Sequence, residues 1–256
     1  MVTLEAPQVA LLAAAALAAG AVNAVAGGGS LISFPALLAV GYPALRANVT
    51  NTVALCPGYL GGSLGYRREL AGQGARVRAL GATSVAGALL GASLLLLSPA
   101  GLFEALVPYL IFLACGLLAA QPWLSRVVRE RTERPGGARR RPLGLHASQF
   151  LAGAYGAYFG AGLGIMTLAI LAIFVADRLQ RLNALKGLLS LLINLVAAVY
   201  FALLAEVAWS VALVMMAASL LGGQAGVVLA RRLDDRLLRL LVVVFGVVVG
   251  ARLLVS

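Results

Sequence analysis

Eight long runs of apolar residues constrain the fold of this 256-residue chain more than any other feature. They cover about 8–41, 47–66, 77–98, 100–123, 147–175, 183–205, 207–230 and 237–255, and a helix needs roughly 20 residues to cross a bilayer. Composition agrees, because 62% of the residues are hydrophobic and 11% are charged, whereas soluble domains have about 45–50% and 25%. The sequence therefore predicts an all-α, polytopic membrane protein.

The basic residues lie between the apolar runs, in the loop 67–78, the segment 125–145, at Arg178 and Arg181, and in 231–239. A net charge of +11 is also found in nucleic-acid-binding proteins, but arginines in loops between membrane spans mark the cytoplasmic side. We therefore predict a multi-pass protein of the plasma membrane, with the bilayer and no nucleic acid as its partner. The first seven residues include Glu5 and no basic residue, so the first apolar run is expected to stay in the mature protein.

The two halves of the chain resemble each other in four places. Residues 19–24 match 152–157, the glycines at 27–29 match 160–162, 47–51 match 182–186, and the Gly87/Gly91 pair matches Gly222/Gly226. The offset is nearly constant, at about 133–135 residues, as expected of an internal repeat. We predict a first transmembrane repeat over 1–124, a basic cytoplasmic linker over 125–146 and a second transmembrane repeat over 147–256.

The charges also bear on how the repeats face the membrane. If all the basic loops are cytoplasmic, each repeat crosses the membrane an odd number of times. The two repeats then have opposite orientations in the membrane. The alternative is eight simple helices in two parallel sets, which places 231–239 outside. We favour two inverted repeats, each with a first hairpin followed by three transmembrane helices, which gives about 8–10 hydrophobic segments.

The first and fifth runs are too long for one helix and too short for two full crossings. Glycines lie near the middle of each run, which predicts a broken or re-entrant hairpin whose tip reaches into the bilayer. Irregular backbone is tolerated there only when it is buried in protein or lines a polar cavity. The glycines could instead serve close helix packing, which is the interpretation we favour for the isolated Gly87/Gly91 pair.

The tips and the two matching helix starts hold the polar residues that suit a small anion. A helix that begins at a tip offers free N–H groups and the positive end of its dipole, and Ser30 is placed to cap the first such helix. Lys186, the sole lysine, lies inside an apolar run, where a cation marks a substrate path or snorkels to the headgroups. The predicted substrate-binding residues are Asn23, Gly27, Gly28, Gly29, Ser30, Asn48, Thr50, Asn51, Thr52, Gly160, Gly162, Gly164, Asn183, Lys186 and Asn194.

Several functions lack their residues. The two cysteines, Cys56 and Cys115, lie within apolar runs without a metal-binding spacing, and the single histidine is His146. There is no hydrolytic triad, no HExxH and no phosphate-binding loop. We therefore predict no enzyme activity, no cofactor and no metal site.

The residues from Gly20 to Pro35, with the glycine run before Ser30, resemble the start of the TauE/SafE sulfite exporter family. The segments 47–52, 61–70, 160–165 and 182–186 are similar to later parts of the same pattern. The resemblance implies plasma-membrane transport of small sulfur-containing anions such as sulfite, sulfoacetate and related sulfonates. Many members carry a threonine near the position of Lys186, so the resemblance does not fix the substrate.

The function predicted at this point is a secondary transporter or exporter of a small oxoanion, most plausibly sulfite or an organosulfonate. The alternatives are an anion channel with the same site and a membrane scaffold whose glycines serve packing alone. A homo-oligomer is left open.

Overall fold

The computed structural model describes residues 5–25, 27–65, 68–133, 142–229 and 235–255. Within these ranges the chain forms ten helices and no strand, which confirms the predicted all-α class. The helices are α1 Ala6–Val25, α2 Ser30–Ala39, α3 Ala44–Gly65, α4 Gly74–Leu97, α5 Ala100–Glu133, α6 Pro142–Tyr158, α7 Leu163–Phe174, α8 Leu179–Leu204, α9 Trp209–Leu229 and α10 Asp235–Val255.

Among the described residues, five helices are long and apolar enough to cross a membrane. These stretches are Ala6–Ala24, Gly74–Leu97, Gly101–Trp123, Leu179–Leu204 and Trp209–Gly226. Their outward residues include many exposed leucines, such as Leu97, Leu203 and Leu213, which is the composition expected of a surface that faces acyl chains. The chain is therefore a multi-pass membrane protein.

The first and fifth apolar runs are broken, as predicted. The first run forms α1 and the ten-residue α2, and the fifth forms α6 and the twelve-residue α7. The breaks fall at glycines with left-handed backbone, with φ of 86° at Gly27 and 78° at both Gly160 and Gly162. Because a side chain is strained in that conformation, the glycines end one helix and let the chain turn into the next.

Helices of one half pack mainly against helices of the other half. The most extensive contacts are those of the pairs α1/α9, α3/α9 and α4/α6, and the pairs α3/α8, α5/α10 and α4/α8 follow. Suppose that α1 to α5 correspond in order to α6 to α10. The α1/α9 pair then corresponds to the α6/α4 pair, and the α3/α9 pair corresponds to the α8/α4 pair. The packing is therefore repeated when the two halves are exchanged.

The repetition extends to single residues in the glycine seams. A Cβ on Gly20 would overlap the carbonyl oxygen of Ser219, and a Cβ on Gly153 would lie 2.8 Å from the carbonyl oxygen of Ser84. Likewise Gly222 and Gly226 face Leu17 and Ala21 of α1, as Gly87 and Gly91 face the corresponding residues of α6, Phe150 and Ala154. The predicted packing role of the Gly87/Gly91 pair is confirmed.

The corresponding helices α3 and α8 pack against each other at the centre of the molecule. Ser63 near the end of α3 lies beside Gly187 near the start of α8, and Leu55 shares an apolar cluster with Leu191. The two helices therefore run antiparallel. This supports the inverted arrangement of the repeats, which stays a prediction.

The predicted linker overlaps the ends of two helices. Helix α5 continues to Glu133 and α6 begins at Pro142, so only 134–141 of the predicted 125–146 segment lies outside the described residues. The boundaries of the two repeats stay predictions.

Candidate functional site

The two hairpin tips meet inside the protein. Gly27 at the first tip approaches the backbone of Gly164 at the start of α7, where an added Cβ would lie 2.8 Å from the Cα atom. Phe34 of α2 and Phe159 at the end of α6 pack edge to face, with ring centroids 5.4 Å apart. The described residues of both tips, 27–30 and 159–164, are buried, as irregular backbone in a membrane protein must be.

A side-chain amide from within the same hairpin holds the first tip. The Gly29 N–H donates to Oδ1 of Asn23 at 2.8 Å, and a Cβ on Gly29 would overlap the carbonyl oxygen of Ala19. Ser30 is the first residue of α2, the preceding residue Gly29 occupies the capping position, and no side chain caps this helix end. The predicted capping role of Ser30 is therefore wrong, because the turn places the hydroxyl one residue too late.

The second tip is held partly from the other half of the chain. Asn48 of α3 donates from Nδ2 to the carbonyl oxygen of Tyr158 at 2.9 Å, where α6 ends. Tyr155 of α6 donates its hydroxyl to the carbonyl oxygen of Ala161 at 2.6 Å. Asn48 therefore satisfies a helix-end carbonyl and links the start of α3 to the second hairpin.

Threonines at the start of α3 bond the backbone. The Ala208 N–H, just before α9, donates to Oγ1 of Thr50 at 3.1 Å, and Thr52 donates to the carbonyl oxygen of Asn48 at 3.0 Å. Asn51 and Asn194 are also buried, and Oδ1 of each has no partner among the described residues. Any contact of these four side chains with a substrate stays a prediction.

A cavity lined in part by polar side chains lies where the end of α1, the end of α3 and the start of α8 come together. It holds about 320 Å³ of atom-free space, part of which opens to the outside. Its lining residues are Asn23, Ala24, Gly58, Tyr59, Ser63, Asn183, Lys186 and Gly187. Three of the predicted site residues, Asn23, Asn183 and Lys186, are therefore brought together, whereas the glycines of the tips and the start of α3 do not line this cavity.

Lys186 supplies the charge of the cavity. Its side chain is buried, with 8% of the residue surface exposed, and it makes no ion pair with any residue that the structure describes. Nδ2 of Asn23 and the hydroxyl of Ser63 are also buried without a described partner. An ammonium group with neutral amide and hydroxyl groups beside it can donate several hydrogen bonds to one anion.

Tyr59 and Ser63 were not predicted as site residues. They lie four residues apart on α3, on one face with Leu55. A serine and a tyrosine within the glycine-rich segment 58–65 of an apolar run were the available signal. The sequence did not show which side of α3 faces α8, because that face is set by packing.

Charged residues join two loops beside this cavity. Asp177, between α7 and α8, pairs with Arg76 of α4 and with Arg181 of α8, and Gln73 donates to the carbonyl oxygen of Arg181 at 3.1 Å. We call this end of the molecule, which carries Arg76, Arg178 and Arg181, the basic face. Partial burial favours the neutral form of Asp177, but the hydrogen bonds from Arg76 and the Arg178 N–H, with the charge of Arg181, outweigh it and lower the pKa of the carboxyl.

The residues described offer no metal site, since no three His, Cys, Asp or Glu side chains cluster in the described ranges. The donor set of the cavity, a cation with amides and hydroxyls, suits an anion instead.

Comparison with known proteins bears on the family of the chain. The family model described as "Sulfite exporter TauE/SafE" matches residues 12–253. The chain belongs to the TauE/SafE family. A probable membrane transporter protein of Haemophilus influenzae is 31% identical over 246 residues, which are 95% of this chain and 93% of that protein. This TauE/SafE protein also resembles other relatives of similar length.

Two of those relatives cover most of both chains. The probable membrane transporter protein YfcA of Escherichia coli K12 is 26% identical over 93% of this chain and 87% of its own length. The probable membrane transporter protein ORF9 of a Sinorhizobium species is 27% identical, over 96% and 92%. No solved structure matches the chain. The chain is therefore a membrane transporter of the TauE/SafE family.

Proposed function

We propose that this protein is a secondary transporter that exports a small oxoanion, sulfite or an organosulfonate, across the plasma membrane. The observation that carries the proposal is the buried Lys186 in a cavity between α1, α3 and α8. The family description names sulfite export, and the names of the relatives give no substrate.

The chemistry of the cavity suits an anion with several oxygen atoms. A lysine ammonium carries one charge and three donors on a flexible stem, and the amides of Asn23 and Asn183 can each donate two hydrogen bonds. The single charge and the neutral donors can hold a sulfite or sulfonate group without the rigid two-point grip of an arginine. An anion held in this way can also leave, as transport requires.

Export needs no coupling ion on energetic grounds. A membrane potential supplies about 2.3 kcal/mol per charge per 100 mV, and a negative cell interior drives anions outward. Proton-coupled carriers usually place a carboxylate in the membrane, and none lines this cavity. The potential alone is therefore a sufficient driving force for the proposed export.

The test is anion flux in proteoliposomes that contain the purified protein, with sulfite, methanesulfonate, sulfate and chloride as substrates. We expect saturable flux of sulfite or methanesulfonate that trans substrate stimulates. Lys186→Gln should weaken apparent affinity by roughly 10- to 100-fold, because a hydrogen bond to a charged group contributes about 1.5–3 kcal/mol.

Arg178→Gln is the matched control, since it removes the same charge from an exposed position just before the same helix, outside the cavity. It should leave the affinity within about twofold, as expected of an exposed charge. Flux that does not saturate would identify a channel. If no anion is transported and none raises the melting temperature of the purified protein, the oxoanion proposal fails.

A further inference from the structure

Because the two halves of the chain correspond to each other, the cavity has a counterpart at the other end of α3 and α8. The seam contacts fix the correspondence, because Gly20 faces Ser219 as Gly153 faces Ser84. Six lining residues of the cavity then correspond to a second set about 133–135 residues away along the chain. This second set, the counterpart cluster, consists of Asn48, Asn51, Thr52, Gly156, Asn194 and Ala198.

The counterpart cluster is closed where the cavity is open. In the cavity Ser63, Asn183 and Gly187 are half-buried, whereas all six residues of the counterpart cluster are buried. Gly156 is packed so tightly that an added Cβ would lie within 3 Å of the side chains of Leu163 and Ile193. The structure therefore has one end of the α3/α8 pair accessible and the corresponding end occluded.

The occluded end nevertheless keeps polar atoms that its packing does not satisfy. Oδ1 of Asn48, Asn51 and Asn194 is buried and has no partner among the described residues. Buried acceptors are normally paired, and an unpaired one is unfavourable. Water that entered the cluster could donate a hydrogen bond to each of the three, and an opened state supplies that water.

The cavity and the counterpart cluster differ in charge at one pair of corresponding positions. The position of Lys186 in the cavity corresponds to Asn51 in the counterpart cluster, so a neutral amide stands where the cavity has its cation. The chemistry of both ends is otherwise that of amides and hydroxyls. An anion would therefore be attracted more strongly at the cavity than at the counterpart cluster.

We infer that the counterpart cluster is the second station of the same small anion and opens to the face opposite the basic face in the alternate state of the protein. This inference rests on the proposed function. The anion passes from the station with Lys186 to the neutral station as the cavity closes and the cluster opens. Half-saturation should consequently need a higher anion concentration at the opposite face than at the basic face.

The test uses cysteine accessibility in a background where the buried, free Cys56 and Cys115 are replaced by alanine. Ser63→Cys reports on the cavity, and Ala198→Cys reports on the corresponding position of the cluster. A membrane-impermeant thiol reagent is applied to inside-out and right-side-out vesicles. Ala172→Cys is the control, because Ala172 is as buried as Ala198, at 8% against 7% exposed, but lies with Leu171 and Leu182, outside the counterpart cluster.

We expect Ser63→Cys to react from the basic face and Ala198→Cys to react from the opposite face. The second reaction should be slower by about 10- to 1,000-fold, the factor that a minor state populated at roughly 0.1–10% imposes. Ala172→Cys should react from neither face. Thr52→Cys, at the position that corresponds to Gly187, repeats the measurement if Ala198→Cys does not fold.

The inference is overturned if the cluster cysteines stay unlabelled, or if they are labelled from the basic face. Its failure can be told apart from that of the proposed function. If sulfite or methanesulfonate still stabilises the protein and Lys186→Gln removes that stabilisation while the cluster is never labelled, the binding site stands and the second station does not.

Discussion

At the residue scale, three buried asparagines have different hydrogen-bonding roles. Asn23 accepts the Gly29 N–H within its own hairpin, and Asn48 donates to the end of the other hairpin at Tyr158. Oδ1 of Asn51 is buried and has no partner among the residues that the structure describes. In a membrane interior a polar group without a partner is costly. Asn23 and Asn48 each hold a tip with one atom of the amide, and the other atom, Nδ2 of Asn23 and Oδ1 of Asn48, is buried without a described partner.

Asp177 gives a pH-dependent prediction at the same scale. Its pKa is lower in the folded protein than the ordinary 3.8, so its ion pairs stabilise the fold above that value. This contribution declines as the pH falls below 3.8 and through the lowered pKa. At pH 7 we expect Asp177→Asn to reduce the free energy of unfolding by up to about 1 kcal/mol, since both arginines are partly exposed.

Denaturation in detergent at pH 7 and at low pH measures this effect, with the exposed Glu206→Gln as the control. The difference between wild type and Asp177→Asn should shrink at low pH, where the carboxyl is protonated in both folded and unfolded protein. A difference that stays constant with pH would mean that Asp177 acts by packing and not by charge.

Glycines at the element scale do two separate jobs. In the seams they let backbones of α1 and α9, or of α4 and α6, touch directly, as small residues do between membrane helices. At the tips they adopt a left-handed backbone and let the two hairpins meet. The run at 27–29 serves the second job, which is why the first apolar block breaks there.

Gly27 and Gly41 form a matched pair that tests the meeting of the tips. Both have positive φ, 86° and 95°, so alanine at either costs about 1–2 kcal/mol in backbone strain. Nothing lies within 4 Å of a Cβ on Gly41, whereas a Cβ on Gly27 would press on Gly164. Gly27→Ala should therefore cost a further 1–3 kcal/mol or so.

Thermal or denaturant unfolding of the two variants in detergent gives the comparison. Equal losses of stability would show that the tips do not touch in the protein.

At the scale of the whole molecule, the two halves are held together because helices of one half pack against helices of the other. Helix α1 packs on α9 and α6 on α4, so neither half buries its glycine seam alone. The antiparallel α3/α8 pair lies at the centre, and the loops 68–73 and 175–178 meet at the basic face. Arg239, near the start of α10, donates to Gln121 of α5 at 3.2 Å. This hydrogen bond joins α10 to the part of α5 that precedes the predicted linker.

These contacts predict the membrane topology. With inverted repeats, Arg68→Cys, Arg178→Cys and Arg239→Cys should all be labelled from the cytoplasm, and Glu206→Cys from outside, because basic loops stay inside. Labelling of single cysteines in intact cells and in inverted vesicles measures this. If Arg68→Cys reacts from the cytoplasm but Arg178→Cys and Arg239→Cys react from outside, the parallel arrangement of eight simple helices is the correct one.

The sequence by itself determined the membrane class, the two broken runs and the family. Each of these depends on local composition or on motifs such as the glycines before Ser30, which act on the backbone wherever the helix packs. Lys186 was also identifiable, since a single lysine inside an apolar run is costly in any fold.

Only the tertiary structure decided which polar residues share a cavity. Helices that are apolar on every side carry no stripe that separates the protein-facing side from the lipid-facing side. The antiparallel packing of α3 and α8 therefore had to be seen before Tyr59 and Ser63 could be placed beside Lys186. The same packing puts the start of α3, with Asn48 and Asn51, away from that cavity and at the other end of the pair.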